Sequence, residues 1–125
     1  ATLTGAARVA LGDGVSPLFG NDEELVSSVL ETSSKVGEPM WRLPLDSVTK
    51  RQNASKIADL KNTGGRGGGS TTAAHFIADF AGDTPWVHID VAATSMLDST
   101  RGWMPAGATG VPTRSLIELA MSLGG

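Results

Sequence analysis

The sequence contains no cysteine. That excludes disulfides and any thiolate zinc site, and it fits a cytosolic protein. Aromatic residues make up only 5% of the chain, and no apolar run approaches the roughly 20 residues that a membrane helix needs. The first residues do not read as a secretory leader. No basic stretch stands out and the net charge is −3. Nucleic-acid binding lacks its electrostatic footprint, and docking on an anionic membrane lacks its driving charge.

What is present is enough for one small core: 125 residues, 40% of them hydrophobic. The most distinctive stretch is Ala58 to Ser70, which holds five of the sixteen glycines. The residues Lys56 to Leu60 before it read as extended. From Thr71 to Ala81, apolar residues then recur at helical spacing: Ala73, Ala74, Phe76, Ile77, Phe80 and Ala81. Strand, glycine loop and helix in that order occur at many α/β sites. Two phosphate-binding spacings are incomplete here. Gly64 and Gly69 have the separation of a P-loop and Ser70-Thr71 follow, but the lysine is missing. Gly65 and Gly67 begin a dinucleotide fingerprint that Ser70 ends wrongly. The spacing leaves open an anion or nucleotide cradle at Gly64-Gly69 and a turn packed closely on neighbouring backbone.

In chain order, Ala1 to Gly5 reads as a strand end turning into a helix over 4–11, apolar nearly all round and therefore expected to be buried. A strand cut at its end predicts that the chain is part of a longer fold. Val15 to Phe19 is a strand weakened by Pro17. Asn21 with Glu24 has the spacing of a helix cap, opening an amphipathic helix with Leu25, Val26, Val29, Leu30 and Val36 on its stripe and Gly37 at its end. Asp22, Glu23 and Glu24 are adjacent, so they do not converge on a metal and read as a solvated helix start. The segment Pro39 to Pro44 is extended, with Trp41 expected in the core or an interface.

Asp46 to Asn53 reads as a short surface helix. Its Ser47-x-x-Lys50 is a chance match to a nucleophile motif, since the accompanying elements are missing. Asn53-Ala54-Ser55 is a glycosylation sequon. Trp86 to Ala93 alternates and predicts a central strand, with Val87, Ile89 and Val91 on one face and Trp86, His88 and Asp90 on the other. His88 with Asp90, or His75 with Asp79 four residues apart, has the spacing of a metal half-site or a charge-relay pair; a hydrogen-bonded structural histidine is the competing reading. Thr94 to Gly110 has no periodicity and reads as a functional or interface loop. Pro112 opens a last helix whose buried side is expected to carry Leu116, Ile117, Leu119, Ala120 and Leu123. The alternation of elements predicts an α/β fold: part of a three-layer α/β/α sandwich on a mixed, mostly parallel sheet that is incomplete within this chain.

Four stretches then occur together in order. They are Ala1-Thr2-Leu3-Thr4-Gly5-Ala6; Ile57-Ala58-Asp59-Leu60-Lys61-Asn62 with Gly64-Gly65-Arg66; Pro85-Trp86-Val87-His88-Ile89-Asp90-Val91-Ala92; and Gly107-Ala108-Thr109-Gly110. With them the whole chain, 1–125, resembles the C-terminal part of the catalytic domain of the leucyl (cytosol) aminopeptidase family of metallopeptidases. The resemblance implies a cytoplasmic, hexameric enzyme that removes N-terminal residues from peptides. It implies two divalent metal ions, zinc or manganese, that polarise the scissile carbonyl and supply a hydroxide, with bicarbonate assisting.

The family's metal ligands end in an Asn-Thr-Asp-Ala-Glu-Gly-Arg motif that this sequence does not contain. The resemblance therefore places the ligands and the catalytic lysine and arginine upstream, with no catalytic or metal residue in this chain. It assigns substrate-pocket walls to Thr2, Leu3 and Gly5 on one side and to Ala92 and Ser95 on the other. Ser95 stands where some members carry a larger apolar side chain. Two other readings remain at this point: a self-sufficient anion-binding module using the glycine loop, and an assembly fragment that makes contacts through the last helix and the 94–110 loop.

Overall fold

In the computed structural model, which describes residues 5–124, the elements run α1 (Ala6–Leu11), β1 (Ser16–Gly20), α2 (Glu23–Lys35), β2 (Met40–Arg42), α3 (Ser47–Lys50) with a 3-10 turn at Arg51–Asn53, α4 (Gly69–Ala81), β3 (Val87–Ile89), β4 (Met96–Leu97), β5 (Gly107–Ala108) and α5 (Thr113–Leu123). The main sheet has the order β2-β1-β3. β2 lies parallel to β1, with Ser16 opposite Met40, and β3 lies antiparallel, with Phe19 opposite His88. β4 and β5 form a separate antiparallel pair. The chain is thus an α/β unit with a small mixed sheet and helices on both faces.

Alternation along β1 decides which helix covers which face. Leu18 points to α2 and packs with Val26, Val29 and Met40, while Leu25, Leu30, Val87, Ile89 and Leu119 close the cluster partly. Phe19 points the other way, its ring 6.0 Å from that of His88, on the side where α1 and α4 meet β1. The last residue of β1 is glycine, and a Cβ there would sit 2.5 Å from Val26 and 2.9 Å from the Trp86 carbonyl.

Several expectations change. β1 is the central strand in spite of Pro17, whose carbonyl still accepts from the Asp90 N–H at 3.0 Å. β3 is shorter than expected and lies at an edge of the described sheet. Its extension stops where the Asp90 side chain takes up the Ala92 N–H and turns the chain. The helix after β1 is capped by Asp22, which accepts from the Leu25 N–H at 2.8 Å. Asn21 instead bridges the Thr84 carbonyl and the Trp86 N–H, tying this corner to β3. Glu23, next in the acidic run, forms a bidentate pair with Arg42. Lys56 to Leu60 is not a strand, because the Ser55 hydroxyl accepts from the N–H groups of Ile57 and Ala58 and bends the backbone.

Apolar pattern also overstated burial. In α1 only Ala7 is buried and Val9 is 91% exposed. Trp41 is 66% exposed. On α5 the buried line runs through Ser115 and Leu119, whereas Leu116, Ile117, Ala120 and Leu123 face outward. A stripe is buried only where an element lies against it, and none of the described elements lies against these. The 94–110 loop contains the β4–β5 pair, and its Trp103 stacks under the Arg114 guanidinium, 4.9 Å from the ring centre. None of the helices among the described residues is long and apolar enough to cross a membrane.

Candidate functional site

Gly5 and the glycine loop, far apart in sequence, line one cleft. Its walls are Gly5, Ala6 and Val9 at the start of α1 and Asn62 to Arg66, Gly69, Thr72 and Ala73 on the loop and α4, around about 370 Å³. Gly5 precedes α1 with φ 73°, a left-handed conformation that favours glycine. Thr2 and Leu3, the other expected residues of that wall, lie outside the described residues.

The loop itself is packed on its neighbours. A Cβ on Gly64 would meet the Thr72 side chain at 2.5 Å, and one on Gly65 would meet the Gln52 carboxamide oxygen at 2.8 Å. The Gly65 N–H donates to that same oxygen at 2.8 Å. The Asn53 side chain, 1% exposed, donates to the Thr72 carbonyl at 2.8 Å. The turn at Arg51–Asn53 therefore latches both the loop and the first turn of α4. This geometry supports the close-packing reading of the glycines. It also buries the sequon asparagine out of reach of glycosylation. Gln52 and Asn53 escaped the sequence reading because their partners lie 13 and 19 residues away with no repeating pattern.

The second expected wall, Ala92 to Ser95, is a tight turn after β3. The Thr94 and Ser95 N–H groups both donate to the Val91 carbonyl. A buried hydroxyl hydrogen bond between Ser16 and Thr94, at 2.6 Å, holds the turn to the sheet, and Asp90 accepts from the Ala92 N–H at 3.0 Å within it. From the other side Thr109 donates its N–H to the Ser95 carbonyl and its hydroxyl to the Thr94 carbonyl. Ala92 and Ser95 are half-buried, between the fixed Ala93 and Thr94.

Asp90 joins the Ala92–Ser95 turn to the start of α4. It is fully buried, and its second carboxylate oxygen accepts from the Ser70 hydroxyl, in the first turn of α4, at 2.5 Å. Both oxygens are thus engaged by neutral donors. His88, two residues earlier, is buried on the same face. Burial pushes its imidazole below the usual histidine range, and the Asp90 carboxylate offsets this only in part. His75 and Asp79 do not pair with each other. Asp79 binds Lys50 at 2.8 Å, and the buried His75 leaves its Nε2 without a hydrogen-bond partner. Among the described residues no group of three or more His, Asp or Glu side chains could hold a metal ion. A dinuclear metal centre does not fit the donor set of the described residues.

One polar cluster had no signal in the sequence. Glu38 accepts from the Ser115 N–H at 2.8 Å, the Ser115 hydroxyl at 2.6 Å and the Arg114 Nε at 3.1 Å. Burial alone would raise its carboxyl, but the Ser115 hydroxyl and N–H and the Arg114 guanidinium together hold it below the usual glutamate range. The contact fixes the start of α5 beside the corner between α2 and β2.

Comparison with known proteins identifies the family and the shared fold. Residues 1–117 match the family model described as the cytosol aminopeptidase family, catalytic domain. The chain is 47% identical over 124 residues to a probable cytosol aminopeptidase of Koribacter versatilis and 46% identical over 124 residues to one of Desulfotalea psychrophila. Each comparison covers 99% of this chain but only 24% and 25% of those relatives, so the chain spans about a quarter of their length. Among solved structures, the bottromycin maturation enzyme BotP superposes with a TM-score of 0.93 at 41% identity, over 98% of this chain and 28% of that one. The same enzyme in complex with Mn gives 0.91 at 40% identity, over 100% and 28%. A mutant of tomato leucine aminopeptidase gives 0.87 at 33% identity, over 95% and 23%. On the matched residues and the shared fold together, the chain belongs to the cytosol aminopeptidase family.

Proposed function

We propose that this chain is the C-terminal portion of the catalytic domain of a metal-dependent leucyl aminopeptidase. It supplies walls of the pocket for the substrate's N-terminal residue, and the metal ligands lie elsewhere in the same domain. The observation that carries this is the joint at Asp90. It holds the Ala92–Ser95 turn against the helix that leads out of the glycine loop, and that loop shares a cleft with Gly5. Gly5, Ala92 and Ser95 present small side chains. A surface of this kind leaves room for a bulky apolar group such as leucine while excluding water from around it. Thr2 and Leu3 complete the first wall in this reading.

The donor set supports the division of labour. Asp90 is engaged on both oxygens, Asp79 is paired with Lys50, and Glu38 is held at the start of α5. When bound in the whole enzyme, two divalent ions, zinc or manganese, would polarise the scissile carbonyl and provide the attacking oxygen, with bicarbonate assisting. The residues of this chain shape and orient. The substrate is a peptide with a free N-terminus, the enzyme is cytoplasmic, and the outward apolar residues Leu116, Ile117 and Trp103 are covered by the rest of the domain or by other subunits of a hexamer.

The test is hydrolysis of leucine p-nitroanilide by the whole enzyme that carries this chain, with manganese or zinc supplied. Metal-dependent release of nitroaniline is expected from the whole enzyme and none from residues 1–125 alone. Turnover by the 125-residue chain contradicts the proposal.

A further inference from the structure

The β3 pairing ends at Ile89, and among the described residues the following segment is tied to the sheet by the Asp90 N–H to the Pro17 carbonyl and by the Ser16–Thr94 hydroxyl contact. On the opposite wall, α4 emerges from a loop with glycine at five of the six positions 64–69. A glycine-rich backbone has little conformational preference of its own. Neither wall therefore inherits its position from the sheet alone. The two meet through one side chain: Asp90 Oδ2 takes the Ser70 hydroxyl and Oδ1 takes the Ala92 N–H.

A neutral residue would do the packing at lower cost. A fully buried carboxylate is unfavourable unless its oxygens are hydrogen-bonded, and no Lys or Arg pairs with Asp90 among the described residues. What the charge adds is a short, strong acceptor: a hydroxyl held at 2.5 Å by a carboxylate is stiffer than a neutral contact. Stiffness matters where two walls define the width of a pocket, because a small misplacement of a wall costs substrate affinity.

We infer that Asp90 is a positioning residue for side-chain selectivity, setting the separation between the glycine-loop wall and the Ala92–Ser95 wall through Ser70 and the Ala92 N–H. This rests on the reading of those segments as walls of the substrate pocket.

The experiment compares Asp90→Asn, Ser70→Ala and the double variant in the whole enzyme, with leucine and alanine p-nitroanilides and manganese. KM for the leucyl substrate is expected to rise about fivefold in each variant, with kcat within about twofold of wild type, so the preference for leucyl over alanyl falls by the same factor. The double variant is expected to match the single ones, since all three remove one shared contact. Ser115→Ala, at the Glu38 joint, serves as a control for simple loss of stability and is expected to lower Tm with the preference unchanged. An unchanged preference in Ser70→Ala overturns the inference, as does a preference that falls equally in Ser115→Ala. Should Asp90→Asn fail to fold, Ser70→Ala alone decides, since it keeps the carboxylate and deletes one bond. A wild-type enzyme that cleaves neither amide removes the reading beneath, and this inference with it; an active wild type with an unmoved preference removes the inference alone.

Discussion

Two buried carboxylates in this chain do the same thing in different surroundings. Each accepts a serine hydroxyl in the first turn of a helix: Glu38 from Ser115 of α5 at 2.6 Å, and Asp90 from Ser70 of α4 at 2.5 Å. Glu38 also takes the Ser115 N–H at the start of α5 and an Arg114 guanidinium. It sits where the helix dipole favours a negative charge and where a cation balances it. Asp90 also lies against a helix start, through Ser70, but no Lys or Arg balances it among the described residues, and its other partner is a loop amide in the Ala92–Ser95 turn. A carboxylate that caps and pairs is a stability device. A carboxylate that links a helix start to a turn with no Lys or Arg beside it is better explained by what those two segments must hold in place.

The contrast predicts an order of effects in the whole protein. Removing Glu38 is the most damaging change. Glu38→Ala leaves the Ser115 N–H and hydroxyl without partners inside the fold and is expected to cost about 3 kcal/mol, read by denaturant unfolding. Arg114 is partly exposed and can turn to water, so it adds little. Neutralising each site without removing it sharpens the comparison. Glu38→Gln is expected to cost about 1 kcal/mol more than Asp90→Asn, because among the described residues only Glu38 sets its charge against a Lys or Arg and a backbone N–H of its helix start. Equal costs, or the reverse order, would break the distinction between the two sites.

The glycine loop gives a smaller effect. Gly64→Ala drives a methyl against Thr72 and is expected to cost about 1 kcal/mol or somewhat more. Gly67→Ala meets nothing within 4 Å and is expected to stay within about 0.5 kcal/mol of wild type. If both are neutral, the contact of Gly64 with Thr72 does not position α4.

The smallest effect is in the pH dependence. Glu38 is held below its ordinary value of 4.5, so its contribution to stability is present above that value and lost as pH falls through the lower folded one. Between about pH 5 and about pH 3 the wild type is expected to lose more stability than Glu38→Gln. Parallel pH curves for the two proteins would show that Ser115 and Arg114 do not favour the charged form.

How much of this the sequence showed depends on the range of the interaction. The stripe Leu25, Val26, Val29 and Leu30 and the alternation through His88 and Asp90 are local patterns, and the structure places them as expected. The helix cap moved by one residue, from Asn21 to Asp22, because Asn21 is needed across the chain at Trp86. The Glu38–Ser115 contact spans 77 residues and the Ser70–Asp90 contact 20, and neither leaves a periodic trace. Four short motifs together were enough to recognise the family. They could not show which serine fixes which carboxylate, since that is decided only when the helices dock.

The central claim is that this chain shapes the substrate pocket while the metal ions are held by other residues of the domain. The most direct measurement is calorimetric titration of manganese into the 125-residue chain. The account predicts no saturable binding, since Asp90, Asp79 and Glu38 are already engaged. Tight stoichiometric uptake, lost on substitution of His75, His88 or Asp90, would contradict it.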